Sequence, residues 1–396
     1  MKTKTCLLRL TDYEYSLFSA KSKVLGTDKS KLFRNGAIQY WNGHSIPDAD
    51  SLLKLYQNGT TEDKSLIVNL LFEYYRLAGY PHRTLSAEEL RQSMGTLAVT
   101  KDPLLENDHL QSNTTGISIA NHFHPHMVKV KCLKNYRSPY EQFIDDDLLK
   151  DAINRWMELG KRPNSSGLRR ILRTRDGVRS VVNFKPAIGR HIYKNYCPQN
   201  GSCLDPCAGY GGRLAGLIST GSNLFYHGVD PSPETVVGNT RLSAFFAGQY
   251  EKIEEKLVWP FRFRHDLGCA EDIMPSLPDE SYDLVFTSPP YWSVEKYDNL
   301  PTQSYLRYPE YEQWKDGFLT PLIVQSQRVC RKGGYVIINI KNYKKHKLAD
   351  DAMMLANACG LMLEKTLQMR LSNSEYNRKE GEKMWHIEPI LVFKKR

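Results

Sequence analysis

The stretch richest in chemistry is Tyr282-Asp283-Leu284-Val285-Phe286-Thr287-Ser288-Pro289-Pro290-Tyr291-Trp292. An apolar run of strand length meets a serine, two prolines and two aromatic residues. The prolines fix φ and remove two backbone donors. Carbonyl groups in such a segment can face a ligand without competing local bonds, and the aromatic rings offer a stacking surface.

A second stretch, Asp205-Pro206-Cys207-Ala208-Gly209-Tyr210-Gly211-Gly212-Arg213, follows a short strand pattern and opens a helix. Glycines let the backbone turn tightly and approach a ligand. A dinucleotide fingerprint starting at Gly209 would need a third glycine where Leu214 stands, so that reading fails. A carboxylate at Asp205 would repel a pyrophosphate and welcome an ammonium group, which S-adenosylmethionine carries. Asp230 ends the next strand pattern, where an acid hydrogen-bonds ribose hydroxyls in doubly wound nucleotide folds. After the third strand pattern, Gly268 is followed by Cys269, a poor partner for an adenine amine. Asp272 takes that role in our reading, with Glu271 as the alternative.

Ser288-Pro289-Pro290-Tyr291 resembles the catalytic motif of DNA amino-methyltransferases, (D/N/S)-P-P-(Y/F). Asp205–Gly211 is similar to that family's cofactor motif, with Cys207 where a Phe is usual. Phe184-Lys185-Pro186-Ala187 resembles its other cofactor motif, and Ile387–Lys395 its closing strand. The likeness covers roughly residues 180–396, with the cofactor motif before the catalytic one. It implies S-adenosylmethionine as cofactor, bound by Lys185, Pro186, Asp205, Cys207, Gly209, Gly211, Asp230 and Asp272. It also implies catalysis by Ser288, Pro289, Pro290 and Tyr291. In that family the polar residue and the first proline's carbonyl accept hydrogen bonds from the target amine. The aromatic stacks on a base flipped out of the duplex. An exocyclic amine has its lone pair delocalised into the ring. Two acceptors orient its N–H bonds and leave the lone pair facing the methyl sulfonium, with no covalent enzyme intermediate. Serine at 288 points to N4 of cytosine, with N6 of adenine as the alternative. An RNA or protein-glutamine methyltransferase and a catalytically inactive DNA-binding protein are the remaining readings.

These motifs need a scaffold. From about Gly201 the pattern alternates strand and helix, the mark of a parallel α/β sheet. Strands are predicted at Ser202–Asp205, Leu224–Asp230, Val258–Arg264, Tyr282–Thr287, Tyr335–Ile340, Leu361–Leu371 and Ile387–Phe393. Helices are predicted at Gly212–Ser219, Pro233–Phe246, Tyr311–Cys330 and Lys347–Ala358. The last two strands are separated only by the polar loop Ser372–Trp385 and should be antiparallel. The expected fold is a seven-stranded, Rossmann-like class I methyltransferase sheet in residues 161–396. Residues 1–160 read as a mainly helical domain, with helices at Leu66–Leu77, after Ser86 and at Asp145–Leu159. The catalytic half leaves no room for a recognition domain, so we expect residues 1–160 to read DNA sequence.

Composition sets limits on partners. The 396 residues are 41% hydrophobic and 11% aromatic, enough for a sizeable core. Lys and Arg number 54 against 44 acids, a net charge of +10, which suits a polyanion such as double-stranded DNA. Between Lys161 and Lys194 basic residues dominate, with Asp176 the only acid. Arg169, Arg170 and Arg173 are read there as substrate contacts, together with Trp292. The segment Trp292–Tyr311, with interleaved aromatics and cations, suits a loop that closes on nucleic acid. No apolar run would cross a bilayer, and MKTKTCLLRL is no secretory signal. A cytoplasmic location is expected. The resemblance leaves room for restriction or phage-defence partner proteins, and the oligomeric state stays open. The eight cysteines form no CxxC pair, so free thiols are expected and no zinc ribbon. His122, His124 and His126 alternate as metal ligands can, but no cysteine or acid clusters beside them, so no metal is expected.

Overall fold

A computed structural model describes residues 49–111, 113–132, 136–248, 261–297, 299–344, 346–371 and 386–396. The chain forms two compact units. The first takes described residues within Met1–His82 and Asn135–Ser180, the second those within Arg83–Lys134 and Val181–Arg396. A boundary at residue 160 therefore falls inside the first unit, and the segment after His82 belongs to the sheet-bearing unit.

The first unit contains the helices Ala49–Asn58, Thr61–Ala78, Pro139–Ile144, Asp146–Glu158 and Ser165–Thr174. The starts of the last four are set by side chains that satisfy free backbone donors. Thr60 pairs with Asp63, and Ser138 with Glu141, in reciprocal capping boxes. Leu52, Ile67, Leu71, Tyr75, Leu149, Ile153, Leu168 and Leu172 are buried there. At Gly167 a Cβ would meet the Trp156 ring at 2.0 Å, so only glycine lets that indole lie against the helix.

The second unit is built on one eight-stranded sheet. Its strands are β1 (His109–Gln111), β3 (Ser202–Asp205), β4 (Phe225–Asp230), β5 (Arg262–Leu267), β6 (Tyr282–Thr287), β8 (Cys330–Asn339), β9 (Leu361–Leu371) and β10 (His386–Lys395). β2 (Lys131–Cys132) and β7 (Glu295–Lys296) form a separate two-stranded ribbon. The sheet order is β1-β9-β10-β8-β6-β3-β4-β5. β10 runs antiparallel to both β8 and β9, and the other pairings are parallel. The expected antiparallel hairpin at the end of the chain is therefore present. Its connecting loop, 372–385, lies outside the described residues.

Alternation along the strands divides the core into two layers. Cys203, Leu284, Phe286 and Ile337 face one layer with the helices Ala87–Ala98, Ile117–Phe123, Pro186–Tyr196, Gly212–Ile218 and Pro233–Phe246. Leu204, Val285, Val336 and Ile338 face the other with Trp314, Phe318, Leu322, Ile323 and Ala352. Several elements depart from the sequence reading. β8 begins at Cys330 rather than Tyr335, because it already pairs there with Tyr282 of β6, so the preceding helix stops at Val329. β5 runs to Leu267 rather than ending at Arg264, because its register with β4 pairs Phe225 with Arg262 and Asp230 with Leu267. Its expected start, 258–260, lies outside the described residues. β1 adds an eighth strand beside β9, with Leu110 fully buried. Three residues are too short a run to show a strand period in sequence.

Candidate active site

In an open α/β sheet the ligand crevice lies at the carboxyl ends of the strands, where the strand order reverses. Here the order reverses between β3 and β6, which pair directly at Leu204 and Val285. The glycine loop leaves β3 and the Ser-Pro-Pro-Tyr segment leaves β6, so these neighbouring strands bring together the two stretches singled out in the sequence. Asp230 ends β4 and Asn339 ends β8 at the same edge. The N-terminal end of antiparallel β10, Glu388–Pro389, joins them there.

The glycine loop is held by side chains around it. Asn239 Nδ2 donates to the Gly209 carbonyl at 2.8 Å, and Asn183 Nδ2 to the Tyr210 carbonyl at 2.9 Å. Cys207 N donates to Thr287 Oγ1 at 3.1 Å, tying the loop to β6. Gly209 has φ +56°, and a Cβ there would find nothing nearer than 3.9 Å, so the backbone presents an open face. Gly211, with φ +76°, differs: a Cβ would meet His124 Cε1 at 2.9 Å and Asn239 Oδ1 at 3.0 Å. Gly211 therefore serves packing against the protein, and Gly209 serves close approach.

The two aspartates of this site separate sharply. Asp205 is fully buried. It accepts from Arg213 Nε at 2.7 Å, from Arg213 Nη2 at 3.1 Å and from the Tyr226 hydroxyl at 3.0 Å. Its charge is spent inside the protein, which corrects the reading of Asp205 as an ammonium partner. Asp230 Oδ2 accepts from Gly209 N at 2.9 Å and Oδ1 from Ser232 N at 3.0 Å. Each oxygen keeps a further lone pair, a two-point acceptor suited to a vicinal diol. Asp230 lies deep among protein atoms while keeping an exposed edge, and burial pushes its carboxyl up to about 6.

At the turn after β5, Asp272 pairs with Arg307 through both oxygens, at 2.7 and 3.2 Å, and its side chain is 56% exposed. Glu271 is the buried member, 2.9 Å from Arg307 Nη1, and burial raises its carboxyl above the ordinary range. Of the two acids weighed for the adenine amine, Glu271 holds the interior position and Asp272 the surface one. Lys185 and Pro186 are buried at the start of the helix Pro186–Tyr196. A Cβ on Gly212 would meet the Phe184 carbonyl at 2.3 Å, so this stretch lies directly against the glycine loop. Burial, with Asp205 and Asp230 nearby, pushes the Cys207 thiol well up, so it is no nucleophile.

On the β6 side, Ser288 Oγ lies 3.3 Å from Asn339 Oδ1, and Asn339 Nδ2 donates to the Pro389 carbonyl at 3.1 Å. The Tyr291 hydroxyl donates to Glu388, and Lys341 Nζ stands 3.7 Å from the same carboxylate and 5.9 Å from the Tyr291 ring centre. Pro289 is buried, while Ser288, Pro290 and Tyr291 are partly exposed. Trp292 adopts φ +49° and packs edge-on against His346 and Tyr311, with centroids at 4.8 and 5.7 Å. That ring is engaged in an aromatic cluster of the protein itself.

Sequence reasoning missed Asn339, Lys341 and Glu388. The available signal was a lone polar residue ending or starting an otherwise apolar strand. The histidine triplet is structural. His122 Nδ1 accepts from Leu85 N, His124 is fully buried on the Ala120 carbonyl, and His126 contacts Thr235 Oγ1. Among the described residues no group of three metal-ligating side chains converges. None of their helices is long and apolar enough to cross a membrane. Arg169, Arg170 and Arg173 lie on the helix Ser165–Thr174 of the first unit. Arg169 donates to the Pro81 carbonyl at 2.8 Å and Arg173 to Ser180 Oγ at 3.3 Å, while Arg170 and Arg173 are exposed.

The order β5-β4-β3-β6-β8-β10-β9, with β10 antiparallel, is that of the Rossmann-like class I methyltransferase sheet, here extended by β1. The chain is similar in fold to a SAM-dependent methyltransferase from Methanosarcina mazei, at 12% identity over 52% of this chain and 96% of that one (TM-score 0.33). It is likewise similar to a TehB-like SAM-dependent methyltransferase from Corynebacterium glutamicum, at 14% identity over 64% and 100% (TM-score 0.33). A protein from Thermus thermophilus, provisionally described as a DNA modification methylase, matches at 23% identity over 32% of this chain and 50% of that one (TM-score 0.23). No family model and no curated protein matches the chain.

Proposed function

We propose that the chain is an S-adenosylmethionine-dependent methyltransferase acting on an exocyclic base amine in DNA, N4 of cytosine in particular. The observation that carries this reading is the pairing of β3 with β6, which sets the glycine loop beside Ser288–Tyr291 at the reversal of strand order. When bound, S-adenosylmethionine supplies an electrophilic methyl group on a sulfonium. Gly209 would let it approach the backbone, Asp230 would accept from its ribose hydroxyls, and Glu271 would accept from its adenine amine. Because Asp205 is fully buried, our reading gives the ammonium to other groups.

The remaining chemistry belongs to this chain. Ser288 Oγ and the Pro289 carbonyl accept the two N–H bonds of the target amine, which turns its lone pair out of the ring. The Tyr291 ring, tied at its hydroxyl to Glu388, gives the extruded base a stacking face. The exposed Arg170 and Arg173 add phosphate contacts.

Expression in a bacterium lacking DNA methylation, followed by single-molecule sequencing, tests the reading. N4-methylcytosine at a defined site is expected. N6-methyladenine would move the target to adenine, and unmodified DNA alongside methylated RNA or protein would overturn the assignment.

A further inference from the structure

Ser288 is the one catalytic-segment side chain linked to β10 through a relay. Asn339 stands between them, 2% exposed, with Oδ1 toward Ser288 Oγ and Nδ2 on the Pro389 carbonyl. A carbonyl can only accept, so the Pro389 oxygen fixes which end of the amide faces it. The amide oxygen of Asn339 is thereby turned to Ser288, and it too can only accept. The serine must donate its single proton to Asn339. Both lone pairs of Ser288 Oγ are then left for an incoming donor.

We infer that Asn339 is a positioning residue that locks Ser288 as a hydrogen-bond acceptor, so that the site selects an amino group over a carbonyl oxygen. This consequence rests on the amine-methylation reading above; the relay itself does not. A serine free to rotate would donate to a base carbonyl as readily as it accepts from an amine. At 3.3 Å the Ser288–Asn339 contact is long for an O–H···O bond, and catalytic hydrogen bonds commonly tighten once substrate is bound. The register of β10 explains the device. Ile390 pairs with Asn339, which sets the preceding carbonyl beside the end of β8. A parallel neighbour in that place would present its opposite end to the crevice.

The test is a double-mutant cycle on the full chain with Ser288→Ala and Asn339→Leu. Methyl transfer from labelled S-adenosylmethionine to genomic DNA of a methylation-free bacterium is read beside cofactor affinity and Tm. Asn339→Leu should cut turnover about tenfold, the scale of one buried hydrogen bond, with cofactor affinity unchanged. In the Ser288→Ala background it should cost almost nothing further. Asn339→Asp covers the case of a poorly folding leucine variant. Its carboxyl keeps an oxygen that accepts from Ser288, so it should retain clearly more turnover than Asn339→Leu. Additive losses across the cycle, or an Asn339→Asp variant as slow as Asn339→Leu, would overturn the inference. If the wild type methylates no DNA, the functional reading fails and the Tm cycle decides: coupling supports the relay and additivity refutes it.

Discussion

The glycine loop after β3 and the Ser-Pro-Pro-Tyr segment after β6 sit side by side and are built in opposite ways. The loop is bound to its own protein at nearly every polar point: Arg213 and Tyr226 on Asp205, Asn239 on Gly209, Asn183 on Tyr210 and Thr287 on Cys207. The Ser-Pro-Pro-Tyr segment is tied from outside itself, by Asn339 at Ser288 and by Glu388 and Lys341 at Tyr291. The loop is thus a preorganised floor whose shape is fixed by internal hydrogen bonds, while the segment is held by side chains from β8 and β10. A conspicuous carboxylate beside a glycine loop can belong to the floor. Asp205 and Asp230 differ in this respect although both end adjacent parallel strands.

The largest expected effect comes from removing the floor's support. Starting the chain near Lys161 deletes Leu90, Met94, Leu97, Leu110 and Ile119, each 2% exposed or less, and His124 beneath Gly211. Each lost apolar side chain is worth about 2–5 kcal/mol, so this fragment should fail to fold, as read by circular dichroism. A fragment that folds and binds S-adenosylmethionine would show that the second unit does not need its early segment. Next is Asp205→Ala. It strands the buried Arg213 charge and should cost about 3–5 kcal/mol of stability in urea denaturation. Asp230→Ala should cost less, because it frees two backbone donors but strands no buried charge. Equal stability of the two variants would erase the contrast between the aspartates.

Tyr291→Ala should lower methyl transfer roughly 10- to 100-fold, from about 1–3 kcal/mol of base stacking, while calorimetry shows cofactor affinity intact. Near-normal turnover would remove the ring from the site. Asp230→Ala should weaken S-adenosylmethionine by about 1–3 kcal/mol. The pH profile sharpens this. Burial raises Asp230 to about 6 from 3.8, so the free protein's stability from this group is present below pH 3.8 and fades as pH rises through 6. Ribose hydroxyls prefer the ionised form, so affinity should be full above pH 6 and decline below it. A pH-independent affinity between 5 and 8 would exclude the carboxylate from binding. The smallest effect lies outside both loops. Replacing Arg170 and Arg173 with Gln should weaken DNA binding on all sequences alike and flatten the salt slope by about 0.9 per lost phosphate contact. An unchanged slope would make that helix a solvated face. Arg169, held on the Pro81 carbonyl, should affect stability instead.

The sequence by itself determined most elements of the main sheet and their order along the chain. Buried parallel strands are short apolar runs, and helices announce themselves by caps, so Ser202–Asp205, Tyr282–Thr287, Leu361–Leu371 and Pro233–Phe246 were legible to the residue. The Ser288–Tyr291 segment stood out in the sequence as well, because two prolines beside aromatics have few local uses. Tertiary structure alone decided which polar groups remain available. Asp205 and Asp230 have the same side chain and similar placement, and only the approach of Arg213 and Tyr226 from other elements consumes one of them. Asn339 joins the site at the end of β8 and Glu388 through the antiparallel register of β10, long-range pairings that no local pattern encodes. β1 pairs with a strand 259 positions away, and three residues acquire strand character there only because the edge of β9 offers them hydrogen-bond partners.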